Sequence, residues 1–151
     1  MPDENDQAGT DDTMPVSEET PQFRNILIHD IICKGANQAL FLQGLPEMNL
    51  ENIHLENIIM EAERGISCKD ASNINFKGFK LVIKKLPVID FTNSRNVRVE
   101  DLEVSGNSGT LISVNGKRTE NITFKNLRDG GFEKNIRTGP EVGKDQVKFI
   151  Y

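Results

Sequence analysis

Five segments of asparagine followed by an apolar residue, any residue and a second apolar residue line up along the chain: Asn25-Ile-Leu-Ile, Asn52-Ile-His-Leu, Asn73-Ile-Asn-Phe, Asn96-Val-Arg-Val and Asn121-Ile-Thr-Phe. The copies begin 27, 21, 23 and 25 residues apart, a period that marks a solenoid of stacked units. Five residues after each Asn stands Asp30, Asn57, Gly78, Asp101 or Asn126, and further apolar residues follow at offsets six and eight. Across the five copies these four slots hold Ile26, Ile28, Ile31, Cys33; Ile53, Leu55, Ile58, Met60; Ile74, Phe76, Phe79, Leu81; Val97, Val99, Leu102, Val104; and Ile122, Phe124, Leu127, Asp129. Nineteen of the twenty are apolar, against 36% for the whole chain. Only Asp129 fails.

The spacing within a copy decides its conformation. Offsets one and three alternate as in a strand, and so do six and eight, but the two pairs are out of step by one residue. A straight strand would turn the second pair outward. Both pairs can share one interior only if the chain bends near offset five, where every copy carries Asp, Asn or Gly, the residues that tolerate a left-handed backbone or form local turns. Each copy therefore reads as a short strand, a corner and a second short strand. The slots Ile53, Leu55, Ile58 and Met60 do not sustain the three-and-four spacing of a helix face.

Between copies lies a third apolar run: Ala39-Leu-Phe-Leu, Ile66-Ser-Cys68, Val88-Ile-Asp-Phe91, Leu111-Ile-Ser-Val114 and, at the end, Val147-Lys-Phe149. Three short strands per coil outline a right-handed parallel β-helix of about five coils, an all-β fold. Coils stacked at the inter-strand spacing of about 4.8 Å make a prism roughly 24 Å long. The Asn at offset zero then stands above its counterpart, in position for an amide ladder. Leu45, Met48, Leu50, Ile53 and Leu55 imitate a leucine-rich repeat once, and the other four copies lack that spacing.

Charge separates the chain into parts. Residues 1–20 hold seven acids and no Lys or Arg, whereas the remaining 16 acids face 18 bases, so the net charge of −5 belongs to the N-terminal segment. That segment has too few apolar residues to offset the entropy of ordering, and reads as an acidic disordered tail or loop. It lacks the positive start and apolar run of a secretory signal. No run of 18 apolar residues is present to span a membrane. Nor is there the clustered basic excess of a nucleic-acid interface. Cys33 and Cys68 form neither a disulfide framework nor a metal-ligand spacing, and read as reduced core residues. The coils occupy 21–129, and 130–151 reads as an irregular cap, rich in glycine, that closes the solenoid and ends in a strand.

The stretch TPQFRNILIHDIICKGANQALFLQGLPEMNLENIHLENIIM resembles the C-terminal coils of glycoside hydrolase family 28, the polygalacturonase-like enzymes, in their bacterial branch. Thr20-Pro21-Gln22-Phe23-Arg24-Asn25-Ile26 and Gly44-Leu45-Pro46-Glu47-Met48 carry most of the likeness, which runs from about Glu19 to the closing VKFIY. The resemblance implies hydrolysis of galacturonosyl linkages in pectin with inversion, no cofactor or metal, and a secreted or periplasmic parent protein. Inversion needs two opposed carboxyl groups about 6.5–9.5 Å apart. The family supplies its catalytic groups in an Asn-Thr-Asp motif, an Asp-Asp pair, Gly-His-Gly and Arg-Ile-Lys. None of these occurs on the coils; the only Asp-Asp, Asp11-Asp12, lies in the acidic segment. No residue carries over as catalytic, and the chain alone is expected to be inactive.

Other candidates have plainer readings. His29 and His54 fall at different offsets and read as solvated surface residues. Glu51, Glu56, Glu61 and Glu63 cluster in one coil but read as outward, solubilising charges. Lys84, Lys85, Arg95, Arg98, Lys117 and Arg118 suit an acidic polysaccharide such as pectate, or simply a charged surface. Asn121-Ile-Thr123 matches a glycosylation sequon that the repeat already explains. The coil starting at Phe23 has no predecessor in the sequence, so its open edge is expected to favour self-association.

Overall fold

The computed structural model describes residues 23–105, 111–128 and 136–150. The acidic segment 1–20, the failed slot at Asp129 and the Gly130-Gly131 pair lie outside the described residues. Six strands follow in order: β1 (Arg24–Gln43), β2 (Leu50–Ser105), β3 (Ile112–Asn115), β4 (Glu120–Arg128), β5 (Ile136–Thr138) and β6 (Val147–Ile150). A straight strand of 56 residues, the length of β2, would run roughly 185 Å at 3.3 Å per residue. It is instead wound.

Left-handed residues do the winding. Asp30, Asn57, Gly78, Asp101 and Asn126, the offset-five residues, all have positive φ, from 55° to 71°. The expected corner is there in every copy. The offset-zero asparagines, Asn25, Asn52, Asn73, Asn96 and Asn121, are left-handed as well, with φ between 54° and 60°, so each is a second corner as well as a ladder residue. A third series, Asp70, Asn93 and Gly116, closes the coil with φ of 53°, 47° and 99°. Asn and Asp visit this region as single residues because their short polar side chains can bond locally.

Stacking is parallel throughout. Ile26 pairs with Ile53, Ile31 with Ile58 and Leu40 with Ile66, and a register shift between Lys34 and Ala36 absorbs the difference in coil length. Val97 pairs with Ile122, and Ile89 with Ile112. The result is a parallel β-helix of about five turns. Its core is a column of inward side chains, including Phe76, Phe91, Phe124 and Phe149, whose successive ring centroids lie 6.0, 6.2 and 5.2 Å apart.

The last strand corrects one expectation. Val147 and Phe149 do not join the third apolar run; they pair with Ile122 and Phe124, the first-strand slots of the fifth copy. Gln146 takes the offset-zero place, its Oε1 accepting from Asn121 N at 3.0 Å. A sixth copy has begun. The third-run position belongs to β5, where Ile136 pairs with Ile112.

Among the described residues, β1 pairs on one side only, with β2. The consequence is visible in its inward slots. Ile26 is 36% exposed, whereas Ile53, the same slot one coil on, is 2% exposed. Ile28, Ile31 and Cys33 are likewise only partly buried, while Leu55, Ile58 and Met60 are buried.

Candidate functional site

The charged residues singled out in the sequence are dispersed by the coil geometry. Leu27 pairs with His54 and His29 with Glu56, so the two histidines stand in different columns. His29 Nδ1 faces Asp30 Oδ2 at 2.8 Å, and His54 Nε2 faces Glu56 Oε1 at 2.9 Å. Glu61 meets Lys34 at 4.0 Å and Glu63 meets Lys84 at 3.3 Å. Three of the four clustered glutamates thus face a basic side chain, and Glu61 and Glu63 line one cleft together with Lys84. Arg98 lies near Glu100 at 3.5 Å, and Arg118 N donates to Asn93 Oδ1 at 3.1 Å. Lys84, Arg98 and Lys85 line three different surface clefts.

Cys68 is buried in the core, and burial pushes its thiol up to about 12. Ser94 Oγ donates to the Cys68 carbonyl at 3.2 Å. Cys33 is part-buried, and both cysteines are free thiols. The raised Cys68 pKa is the opposite of the lowered value that marks a reactive thiolate, so Cys68 is not one.

The Gly44-to-Met48 turn has a tight local basis. Leu45 N donates to Met48 O and Met48 N to Leu45 O, both at 3.1 Å, and Gly44 N donates to Lys69 O at 2.9 Å. A Cβ on Gly44 would collide with the Asp70 carbonyl oxygen. The turn therefore sets how β1 hands over to the next coil. It carries no reactive group of its own.

Several clefts open on the sides of the coil. One, of about 160 Å³, is lined in part by Ala36, Glu61, Glu63 and Lys84. A second, of about 360 Å³, is lined by Asn52, His54, Asn73, Asn75, Asn96 and Arg98, with no carboxylate among its described lining residues. A third, of about 270 Å³, lies on the third face, where Gln38, Arg64, Ser67, Lys85, Pro87 and Asp90 contribute to its lining. Gln38 Nε2 donates to Gly65 O at 2.6 Å and ties the cleft to the strand behind it. A Cβ on Gly65 would run into the Val88 carbonyl, so the backbone beneath the cleft is as close as glycine permits.

Asp90 is the unusual group. It points outward from the run Val88-Ile-Asp-Phe91, yet its Oδ1 is buried and has no hydrogen-bond partner. Burial raises its carboxyl pKa above the ordinary value. A buried acceptor without a donor is destabilising by about 1–3 kcal/mol, and such atoms are rare enough in native proteins to call for a reason. Asp90 is the sole carboxylate among the described residues that line the cleft.

The sequence pointed to none of this, because alternation alone accounts for an outward Asp at that place. The signal was faint: an acid flanked by Ile89 and Phe91, with Lys85-Leu-Pro87 just ahead to form a wall. No family model, curated protein or solved structure matches the chain.

Proposed function

We propose that the chain is the C-terminal part of a polygalacturonase-like glycoside hydrolase that cleaves pectin or polygalacturonate with inversion. In this reading it extends and stabilises the β-helix and borders the substrate groove, while the paired carboxylates reside on coils upstream. The reading is supported by the resemblance of the Thr20–Ile26 and Gly44–Met48 stretches and by the parallel β-helix itself. The observation that carries it is the open first coil, where Ile26 stays 36% exposed in a slot that is sealed at Ile53. A preceding coil is the natural cover for such a surface.

A reducing-sugar assay on polygalacturonate tests this. The 151-residue chain alone should release nothing, and the protein purified from its source should release galacturonate or short oligomers. Inactivity of the source protein would overturn the reading. A second reading, a non-catalytic β-helical module that binds acidic polysaccharide, is favoured by the third-face cleft, where the partly buried Asp90 lies among basic side chains.

A further inference from the structure

We propose that the third-face cleft is a binding site for a polyhydroxylated anion, one sugar ring carrying a carboxylate or phosphate, held with a hydroxyl against Asp90. The proposal rests on the binding-module reading and is independent of the hydrolase reading. Three observations converge on it. Asp90 is part-exposed in the cleft and its Oδ1 accepts no bond from the protein, so the exposed part of its carboxylate is open to a ligand hydroxyl. Arg64 and Lys85 are exposed in the lining of the same cleft. They suit an anionic group that Asp90 itself would repel, so the ligand must carry its donor and its charge at different positions.

The third observation is aromatic. Phe41 is 60% exposed and is the strand partner of Ser67, which lines the cleft. It therefore lies one coil spacing away, about 4.8 Å along the stack. An exposed ring there, together with the apolar surface of Leu86 and Pro87 in the cleft, suits the C–H faces of a sugar. A bare inorganic ion would use none of that surface and would leave Asp90 without its donor.

The 151-residue chain is titrated with galacturonic acid, glucose 6-phosphate, galactose and inorganic phosphate, with binding read by calorimetry and by amide shifts. At least one of the two anionic sugars should saturate and shift the amides of Ser67, Asp90 and Ser113; whichever binds more tightly identifies the anionic group. Galactose and inorganic phosphate should bind at least several-fold more weakly. Asp90→Ala, which removes the acceptor, should weaken the anionic sugar on the order of tenfold or more, while melting at or above the temperature of the parent. Phe41→Ala, at an exposed position where folding is not at stake, should weaken the sugar by roughly two- to tenfold and leave inorganic phosphate unchanged. Absence of saturable binding by either anionic sugar would overturn the proposal and leave the hydrolase reading untouched. Equal binding of galactose or inorganic phosphate, or unchanged affinity in Asp90→Ala, would overturn it too.

Discussion

Asn57 and Asp30, 27 positions apart in sequence, meet side chain to side chain, with Asn57 Nδ2 donating to Asp30 Oδ1 at 2.6 Å. The same relationship recurs between Asn126 and Asp101. A carboxylate accepts but cannot donate, so an Asp can only stand at the lower end of such a corner ladder. Gly78, which has no side chain, interrupts the column between the two pairs, and Asp101 starts it again. The offset-zero column links amide to amide, Asn52 to Asn25 at 3.1 Å and Asn121 to Asn96 at 2.8 Å, and each amide can donate downward while accepting from above.

Asn57 combines that bond with a left-handed backbone, φ 58°. Asn57→Gly keeps the conformation and loses the bond, which should destabilise the chain by about 1 kcal/mol. Asn57→Ala loses both, and the left-handed backbone adds roughly 1–2 kcal/mol. Urea unfolding should rank the three as Asn, Gly, Ala, most stable first. Alanine matching glycine would remove the conformational argument for the corners.

Two carboxylates should act on pH stability in opposite senses. The hydrogen bond from Asn57, and then the one from His29, hold the Asp30 carboxyl below its usual value. Its stabilisation is thus present above the ordinary carboxylate range and lost as pH falls through the lowered native pKa. Burial raises the Asp90 carboxyl, so its native state holds the proton longer than the unfolded chain does. Stability from that site is full below the unfolded pKa and declines as pH rises through the raised one. Asp30→Asn should flatten the acid limb of a pH–stability profile. Asp90→Asn should remove the decline on the other side and raise stability at neutral pH. A lower melting temperature for Asp90→Asn at pH 7 would contradict the description of Asp90 as an unsatisfied group.

The open coil makes equivalent residues unequal. Ile53→Ala, at a sealed slot, should cost about 2–5 kcal/mol. Ile26→Ala, one coil lower and 36% exposed, should cost much less in the 151-residue chain, measured by chemical denaturation. If coils precede Phe23 in the native protein, the two substitutions should become alike there. Equal costs in the 151-residue chain would mean that its first coil is already covered.

Much of this architecture was legible because each structural demand falls on a separate residue type. The corner at Asp30 and its four successors is written in a one-residue change of phase, with Asp, Asn or Gly at the break. The left-handed offset-zero asparagines were harder, since an inter-coil amide ladder already explained them. Asp70 and Asn93 stand three residues before the next repeat Asn but Gly116 stands five before it, so one offset does not gather all three as a third corner. The sixth copy escaped a search anchored on asparagine, although Gln146, Val147 and Phe149 stand 25 residues beyond Asn121, Ile122 and Phe124. Asp90 lay beyond sequence reasoning for another reason: its burial is made by the neighbouring coil and the Lys85-to-Pro87 wall, and tertiary surroundings leave no periodic trace.

The most direct test is the mass of the native protein, recovered from its source with an antibody against the 50–105 coils and measured intact. The account predicts a species well above the 16.9 kDa of this chain, with additional coils covering Ile26 and supplying the missing carboxylate pair. A native species at 16.9 kDa would contradict it, and the exposed first coil would then have to be the finished end of a protein that does not hydrolyse pectin.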